Sequence, residues 1–205
     1  MKTDRGTLFV FSGPSGTGKG TILSNYFEKY NDKNLKYSVS ATTRAPRQGE
    51  INGVNYYFKT QKEFQDMIDN DEFLEWAKFC DNCYGTPRKQ VDDLLSQGID
   101  IILEIETVGA FNIKKKCPDA VMIFVLPPSL SELKHRLQTR ATESEEVLAE
   151  RFAVAKSEIE LAHKYDYIIL NDTLSQAVED FRSILTSQRL KSVNNNKTIS
   201  EVLKK

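Results

Sequence analysis

A glycine-rich segment near the start of the chain constrains the fold more than any other part of the sequence. Residues 13–19 read Gly-Pro-Ser-Gly-Thr-Gly-Lys and follow a largely apolar run at residues 7–11. Such a run is typical of a strand buried on both faces. The residues from Lys19 to about Tyr30 have a helical pattern. Strand, glycine loop and helix in this order predict the first unit of an α/β fold.

The residue types of this loop suit a phosphate group. Main-chain amides in a tight glycine turn can converge on an anion because no Cβ obstructs them, and the helix that begins at Lys19 adds its dipole. The Lys19 ammonium would reach the β and γ phosphates of a nucleotide. The alternative is a glycine turn without a ligand. The predicted phosphate-binding residues are Gly13, Pro14, Ser15, Gly16, Thr17, Gly18, Lys19, Gly20 and Thr21.

One position departs from the usual form of this loop. Gly20 stands directly after the lysine, where a hydroxyl residue is usual, and Thr21 follows it. The expected Mg²⁺ would therefore be held through water or by Thr21, and no direct metal ligand is assigned.

The chain falls into a core, an insertion and a lid. Residues 36–86 contain three short candidate strands, at 36–40, 54–59 and 73–79. They also contain one helix, which begins at the capping box of Thr60 and Glu63. This mixture predicts a small α+β insertion. Before and after it, strands and helices alternate, so we expect a mainly parallel sheet with helices on both faces. The expected boundaries are 1–35, 87–139 and 152–205 for the core, 36–86 for the insertion and 140–151 for the lid. Roughly the last 12 residues are expected to fray.

Composition excludes several classes of protein. Lys and Arg number 28 against 29 Asp and Glu, so the net charge of -1 gives no footprint for duplex nucleic acid. The longest apolar stretch, residues 120–128, is far shorter than the roughly 20 residues of a membrane span. No secretory leader is evident, which favours a cytoplasmic location. The sequence leaves the oligomeric state open.

Cys80 and Cys83 have the CxxC spacing of some metal and redox sites. A metal site would need two more ligands from the scattered Cys117, His135 and His163, and a redox pair would be expected to open a helix. Residues 81–82 instead indicate a turn. We favour two reduced thiols without a role, and assign none to the histidines.

Two further groups of residues could bind anions and a base. Arg44 and Arg47 could grip a second anion by bidentate contacts, although a solvated arginine loop explains them equally well. Near them, Glu75 and the hydroxyls of the segment 83–86 suit a guanine edge, which donates two hydrogen bonds to an acceptor and accepts one at O6. A surface carboxylate is the alternative for Glu75.

Arg136, Arg140 and Arg151 surround the polar segment 141–146. They could swing onto transferring phosphates when that segment closes. Alone, they would read as ordinary arginines on a helix surface.

Together these motifs resemble the guanylate kinase family of P-loop nucleoside-monophosphate kinases. The resemblance runs from about Leu8 to Asp172 and includes residues 13–21, 38–50, 72–76, 84–86, 140–146 and 171–172. It implies Mg²⁺-dependent transfer of the ATP γ-phosphoryl group to GMP, with a five-stranded parallel core, a GMP-binding insertion and a short lid.

The resemblance also assigns roles to individual residues. It implies that Lys19, Arg44, Arg140 and Arg151 are catalytic, that Arg136 and Asn171 join the ATP site, and that Asn171 lies near the adenine. It implies that the GMP phosphate is held by Arg44, Arg47, Tyr56 and Tyr84, and that guanine is read by Ser40, Glu75, Thr86 and Glu106.

Four residues differ from the family pattern, namely Glu106 for aspartate, Val108 for glutamine, Cys83 for an aromatic residue and Ala141 for glycine. They bear on fine geometry rather than on the type of reaction. Two rival functions stay open at this point, a catalytically inactive protein-binding module and a kinase for another nucleoside monophosphate.

Overall fold

The computed structural model describes residues 5–79, 81–140 and 145–204 of the chain. In chain order the strands are β1 (Leu8–Ser12), β2 (Leu35–Tyr37), β3 (Ala41–Thr42), β4 (Tyr57–Phe58), β5 (Phe73–Phe79), β6 (Asn82–Pro87), β7 (Asp100–Glu104), β8 (Val121–Leu126) and β9 (Tyr167–Leu170). The α-helices are α1 (Lys19–Tyr30), α2 (Gln61–Asp69), α3 (Arg88–Ser96), α4 (Thr107–Lys116), α5 (Leu130–Arg140), α6 (Glu145–Glu160), α7 (Leu174–Arg189) and α8 (Asn196–Val202). Short 3-10 turns lie at Ala162–Lys164 and Ser192–Asn194.

The central sheet has five parallel strands in the order β2-β7-β1-β8-β9. Successive residues of β1 point to opposite faces. Phe9 and Phe11 pack with residues of α1 and α7, whereas Leu8 and Val10 pack with residues of α3 and α4. Both faces of the sheet are therefore covered by helices, which confirms the fold class expected from the alternation of elements.

A second sheet, in the order β4-β3-β6-β5, forms the inserted part of the chain. Helix α2 packs on it through Phe64, whose ring stacks on Phe73 with 4.6 Å between the centroids. The capping box predicted at Thr60 is present, with Glu63 as its partner.

Two strands expected in the insertion are shorter than predicted. The strand expected at residues 36–40 ends at Tyr37, where the chain leaves the core sheet. The strand expected at residues 54–59 is reduced to β4, because the preceding residues form a turn in which the Asn55 amide donates to the Ile51 carbonyl at 3.1 Å.

The carboxyl ends of the core strands bring distant residues together. Register pairs Phe11 of β1 with Glu104 of β7, so the glycine loop after β1 lies beside the acids that end β7. Ligands of open parallel sheets bind at this edge. Within the described residues, no helix is both long enough and apolar enough to cross a membrane.

Candidate active site

The glycine loop joins β1 to α1 in a conformation that its glycines permit. Gly13 and Gly18 have φ angles of 141° and 88°, in a region that favours glycine. A Cβ at Gly13 would lie 2.5 Å from the Val125 carbonyl oxygen, so the close approach to β8 also requires glycine. No side chain caps the N-terminus of α1, which leaves its first amides available to an anion.

Lys19 lies across this loop. Its Nζ donates to the carbonyl oxygens of Gly13 at 2.5 Å and Pro14 at 3.1 Å. The ammonium therefore lies against the carbonyls of the loop itself. The loop and Lys19 border a cavity of about 550 Å³, which we call the loop cavity. It is lined by Ser15, Gly16, Gly18, Lys19, Gly20, Thr21, Ser24, Asn25 and Glu104.

Glu104 is a site residue that the sequence did not single out. It is half-buried, and its carboxylate oxygens lie 3.6 and 3.7 Å from where a Cβ at Gly20 would be. The family resemblance assigns a role to Glu106 and none to Glu104. The signal that distinguishes them is the register of β7 beside β1, which is a tertiary property.

Asn171 and Arg136 lie next to each other on the far side of the loop. The Asn171 Nδ2 donates to the Thr17 carbonyl at 2.7 Å, and the Arg136 Nη2 donates to the Asn171 carbonyl at 3.4 Å. Asn171 is buried, so this contact braces the loop from β9.

Arg44, one of the two predicted anion-binding arginines of the insertion, contacts acidic and aromatic side chains. Its guanidinium donates to both carboxylate oxygens of Glu50, at 2.8 and 3.0 Å, and lies 5.4 Å from the ring centroid of Tyr56. The ring of Tyr84 meets that of Tyr56 edge to face at 6.1 Å. The amide of Arg47 donates to Glu50 at 2.7 Å, while the residue itself is exposed. We call Arg44, Tyr56 and Tyr84 the Arg44 cluster.

Glu75 is buried rather than a surface carboxylate. It is 8% exposed, and its Oε1 accepts a hydrogen bond from the Thr86 hydroxyl at 2.9 Å. Burial raises the pKa of this carboxyl, and the nearby Glu106 adds to the rise while Thr86 opposes it. Gly109 leaves room for the other oxygen, since a Cβ there would lie 2.9 Å from Oε2.

Two of the remaining predicted base-binding residues take less enclosed positions. Ser40 is half-buried, and its carbonyl accepts from the Tyr57 amide at 2.8 Å. Glu106 is exposed and is the N-cap residue of α4, without a capping bond from its side chain.

Helix α6 carries the end of the expected lid, up to residue 151, and continues beyond it to Glu160. Burial raises the pKa of the Glu158 carboxyl on this helix, and Lys19 is one of the charges that lower it. Arg151 lies on the same helix and is half-buried. Arg140 ends α5, and its side chain lies outside the described part of the structure, as do Ala141 and the rest of residues 141–144.

The cysteine pair lies outside this site. Cys83 is a free, half-buried thiol on β6, and Cys80 is not among the described residues. In the described ranges no group of three or more His, Cys, Asp or Glu side chains could hold a metal ion.

Tyr56 is half-buried beside Arg44 and Tyr84. Burial raises the pKa of its hydroxyl, and the nearby Tyr84 raises it further. The parallel sheet and the glycine loop that opens α1 define a P-loop nucleotide-binding protein, which here carries an inserted second sheet.

The chain belongs to the guanylate kinase family, since the family model described as "Guanylate kinase" matches residues 5–188. It is 49% identical over 191 residues to a guanylate kinase of Halalkalibacterium halodurans, covering 93% of each chain. It is 48% identical over 195 residues to one of Caldanaerobacter subterraneus subsp. tengcongensis, covering 95% of this chain and 93% of the relative. The solved guanylate kinase of Anaplasma phagocytophilum matches with a TM-score of 0.73 at 32% identity, over 94% of this chain and 90% of that one.

Proposed function

We propose that the protein catalyses reversible transfer of the γ-phosphoryl group of ATP to GMP, giving ADP and GDP. The observation that carries this proposal is the buried Glu75–Thr86 hydrogen bond on the insertion, in a chain whose glycine loop and Lys19 line the loop cavity. Family membership and relatives of nearly equal length support the same reaction.

Each phosphate would be held by a different part of the chain. The loop amides and Lys19 would bind the β and γ phosphates of ATP. Arg44, with the hydroxyls of Tyr56 and Tyr84, would bind the GMP phosphate. Glu50 fixes the direction of the Arg44 guanidinium through two hydrogen bonds, so the arginine is oriented before the substrate arrives.

Glu75 and Thr86 would select the base. Thr86 occupies one oxygen of the carboxylate and leaves acceptor capacity for the N1–H and N2–H₂ donors of guanine. Adenine lacks that pair of donors and would leave the buried carboxylate without its partners. A penalty of this kind discriminates by roughly 10⁴-fold.

The chemical step needs no general base from the protein. An oxygen of the GMP phosphate forms a bond to the γ-phosphorus as the bond from that phosphorus to the β,γ-bridging oxygen breaks, and ADP leaves. The attacking oxygen is already largely deprotonated because the second pKa of a phosphate monoester is about 6. The protein contributes alignment and positive charge against the repulsion of two polyanions.

The loop cavity also fits the Mg²⁺ that accompanies ATP. Mg²⁺ prefers oxygen ligands and keeps several waters beside substrate phosphates. The Thr21 hydroxyl and the Glu104 carboxylate both line this cavity and would hold the ion directly or through water. When bound, the ion would neutralise charge on the ATP phosphates.

The closure of residues 140–151 over the bound nucleotides stays a prediction, and so does the placement of Arg140 and Arg151 on the phosphates. The domain boundaries, the contact of Asn171 with adenine and a cytoplasmic location are predictions as well. A closing lid would exclude water, which competes with GMP as an acceptor.

A substrate panel tests the proposal. ADP release would be followed with Mg·ATP and AMP, GMP, UMP or CMP as acceptor, and we expect GMP to be preferred by roughly 10⁴-fold in kcat/KM over AMP. Turnover with none of the four would favour a binding module instead. Preference for another base would contradict the pocket assignment around Glu75.

A further inference from the structure

Tyr37 donates a hydrogen bond from its hydroxyl to Oε2 of Glu104 at 2.5 Å. Tyr37 is the last residue of β2, where the chain leaves the core sheet for the insertion. Register pairs Tyr37 with Ile102 of β7, so Glu104 lies two residues further towards the carboxyl edge. The side chain of Tyr37 therefore reaches from the start of the insertion to the wall of the loop cavity.

Glu104 is the partner that belongs to the phosphate side of the site. Together with Lys19 and Thr21 it lines the loop cavity. Its side chain is half-buried, and one of its carboxylate oxygens already accepts from Tyr37.

The carboxylate of Glu104 presents an electrostatic problem at this position. A negative charge in the wall of a cavity that takes nucleotide phosphates repels them unless its direction is fixed and its charge is compensated. A hydrogen bond from a hydroxyl to a carboxylate does both, and bonds to charged groups are stronger than neutral ones. Tyr37 occupies one oxygen on the side of the insertion.

We propose that Tyr37 is a positioning residue for the phosphoryl transfer, whose hydroxyl holds the Glu104 carboxylate at the start of α1, beside Gly20. This inference rests on the proposed function. Tyr37 acts through Glu104, and its side chain is 44% exposed rather than part of the core.

The variant Tyr37→Phe keeps the ring and removes the hydroxyl. We expect kcat for GMP to fall by roughly tenfold, the KM for GMP to change by less than about threefold, and more free Mg²⁺ to be needed for half-maximal rate. Calorimetry gives a second measurement without turnover. The factor by which Mg²⁺ strengthens ADP binding should be smaller in Tyr37→Phe than in the unmodified protein.

Tyr30→Phe is the matched control. Tyr30 also donates to a carboxylate, Glu179, but this pair joins the far end of α1 to α7. Its removal should leave the kinetic constants and the Mg²⁺ effect on ADP binding unchanged. A general cost of losing a tyrosine–carboxylate bond would instead appear in both variants and would contradict the inference.

A double-mutant cycle with Glu104→Gln tests whether Tyr37 acts through Glu104. In the Glu104→Gln background, Tyr37→Phe should add little further loss, because the residue it positions is already altered. Full additivity, or a Tyr37→Phe variant indistinguishable from the unmodified protein, would overturn the inference. The proposed function has its own readout here, since it fails only if the unmodified protein does not phosphorylate GMP.

Discussion

Thr86 and Glu75 are cross-strand neighbours in the β5–β6 hairpin, and the Thr86 hydroxyl donates to Glu75 across that pair. Because the carboxylate is buried and has one oxygen already bonded, its remaining acceptor capacity is directed rather than free to rotate. Base selection by this protein should therefore depend on a geometry that two adjacent strands set.

Glu75→Gln should reduce the preference for GMP over AMP by about tenfold or more. The reason is that the amide replaces a charged acceptor with a weaker, neutral one. The measurement is the ratio of kcat/KM for the two acceptors at saturating Mg·ATP. An unchanged ratio would show that Glu75 does not contact the base.

The KM for GMP should rise as the pH is lowered. The rise should begin at a higher pH than the one at which an exposed glutamate gains its proton. Burial raises the pKa of Glu75, so the carboxyl gains a proton, and loses acceptor capacity, earlier as the pH falls. The GMP phosphate titrates near pH 6 as well. Glu75→Gln retains that titration, so the ratio of KM values for the two proteins isolates Glu75.

The same shift makes a stability prediction. Since the folded-state pKa of Glu75 lies above its unfolded value, its contribution to stability is present below the unfolded pKa and is lost as pH rises through the folded pKa. The free energy of unfolding of Glu75→Gln, relative to the unmodified protein, should therefore increase with pH across that window. Urea denaturation at several pH values would measure it, and an opposite slope would contradict the assignment.

Gly109→Ala should weaken GMP binding without lowering thermal stability. The new methyl group would lie 2.9 Å from Glu75 Oε2 and would displace the carboxylate. Alanine is a better helix former than glycine by about 1 kcal/mol, so α4 itself is not weakened. We expect the KM for GMP to rise by about tenfold while the Tm is kept. A lowered Tm would point to damaged packing instead.

Lys19→Ala should lower kcat by about 10³-fold while GMP affinity is largely kept, because the ammonium lies at the loop cavity and not in the Arg44 cluster. Steady-state kinetics and calorimetric binding of GMP alone separate the two effects. Equal loss of GMP binding would mean that the two anion sites are misassigned.

Asp100→Ala should destabilise the protein by about 3 kcal/mol. Asp100 is 6% exposed. Its carboxylate accepts hydrogen bonds from Arg189 Nε at 2.8 Å and from the Thr7 amide at 2.7 Å. Its removal leaves both donors without this acceptor. Asp93→Ala, which breaks the exposed pair with Lys89, should cost about 1 kcal/mol or less. Equal losses in urea denaturation would contradict this account.

Much of the local structure follows from neighbouring residues in the chain. Helix α1 begins at Lys19 and ends at Tyr30 as predicted, and α2 begins after Thr60 as its capping box indicates. In both cases the information lies within a few residues, in glycine backbone freedom or in a side chain that satisfies a free amide. The parallel core follows from the same kind of pattern, because doubly buried strands read as continuous apolar runs.

The sequence by itself thus determined the fold class and the glycine loop that, with Lys19, borders the loop cavity. The tertiary structure decided which residues touch. Glu104 joins the site because β7 pairs with β1, Glu75 is buried because Thr86 and Gly109 enclose it, and Tyr37 reaches Glu104 from another strand. These contacts depend on strand register and on packing between segments far apart in the chain, and no local pattern of residues encodes the distance between such segments.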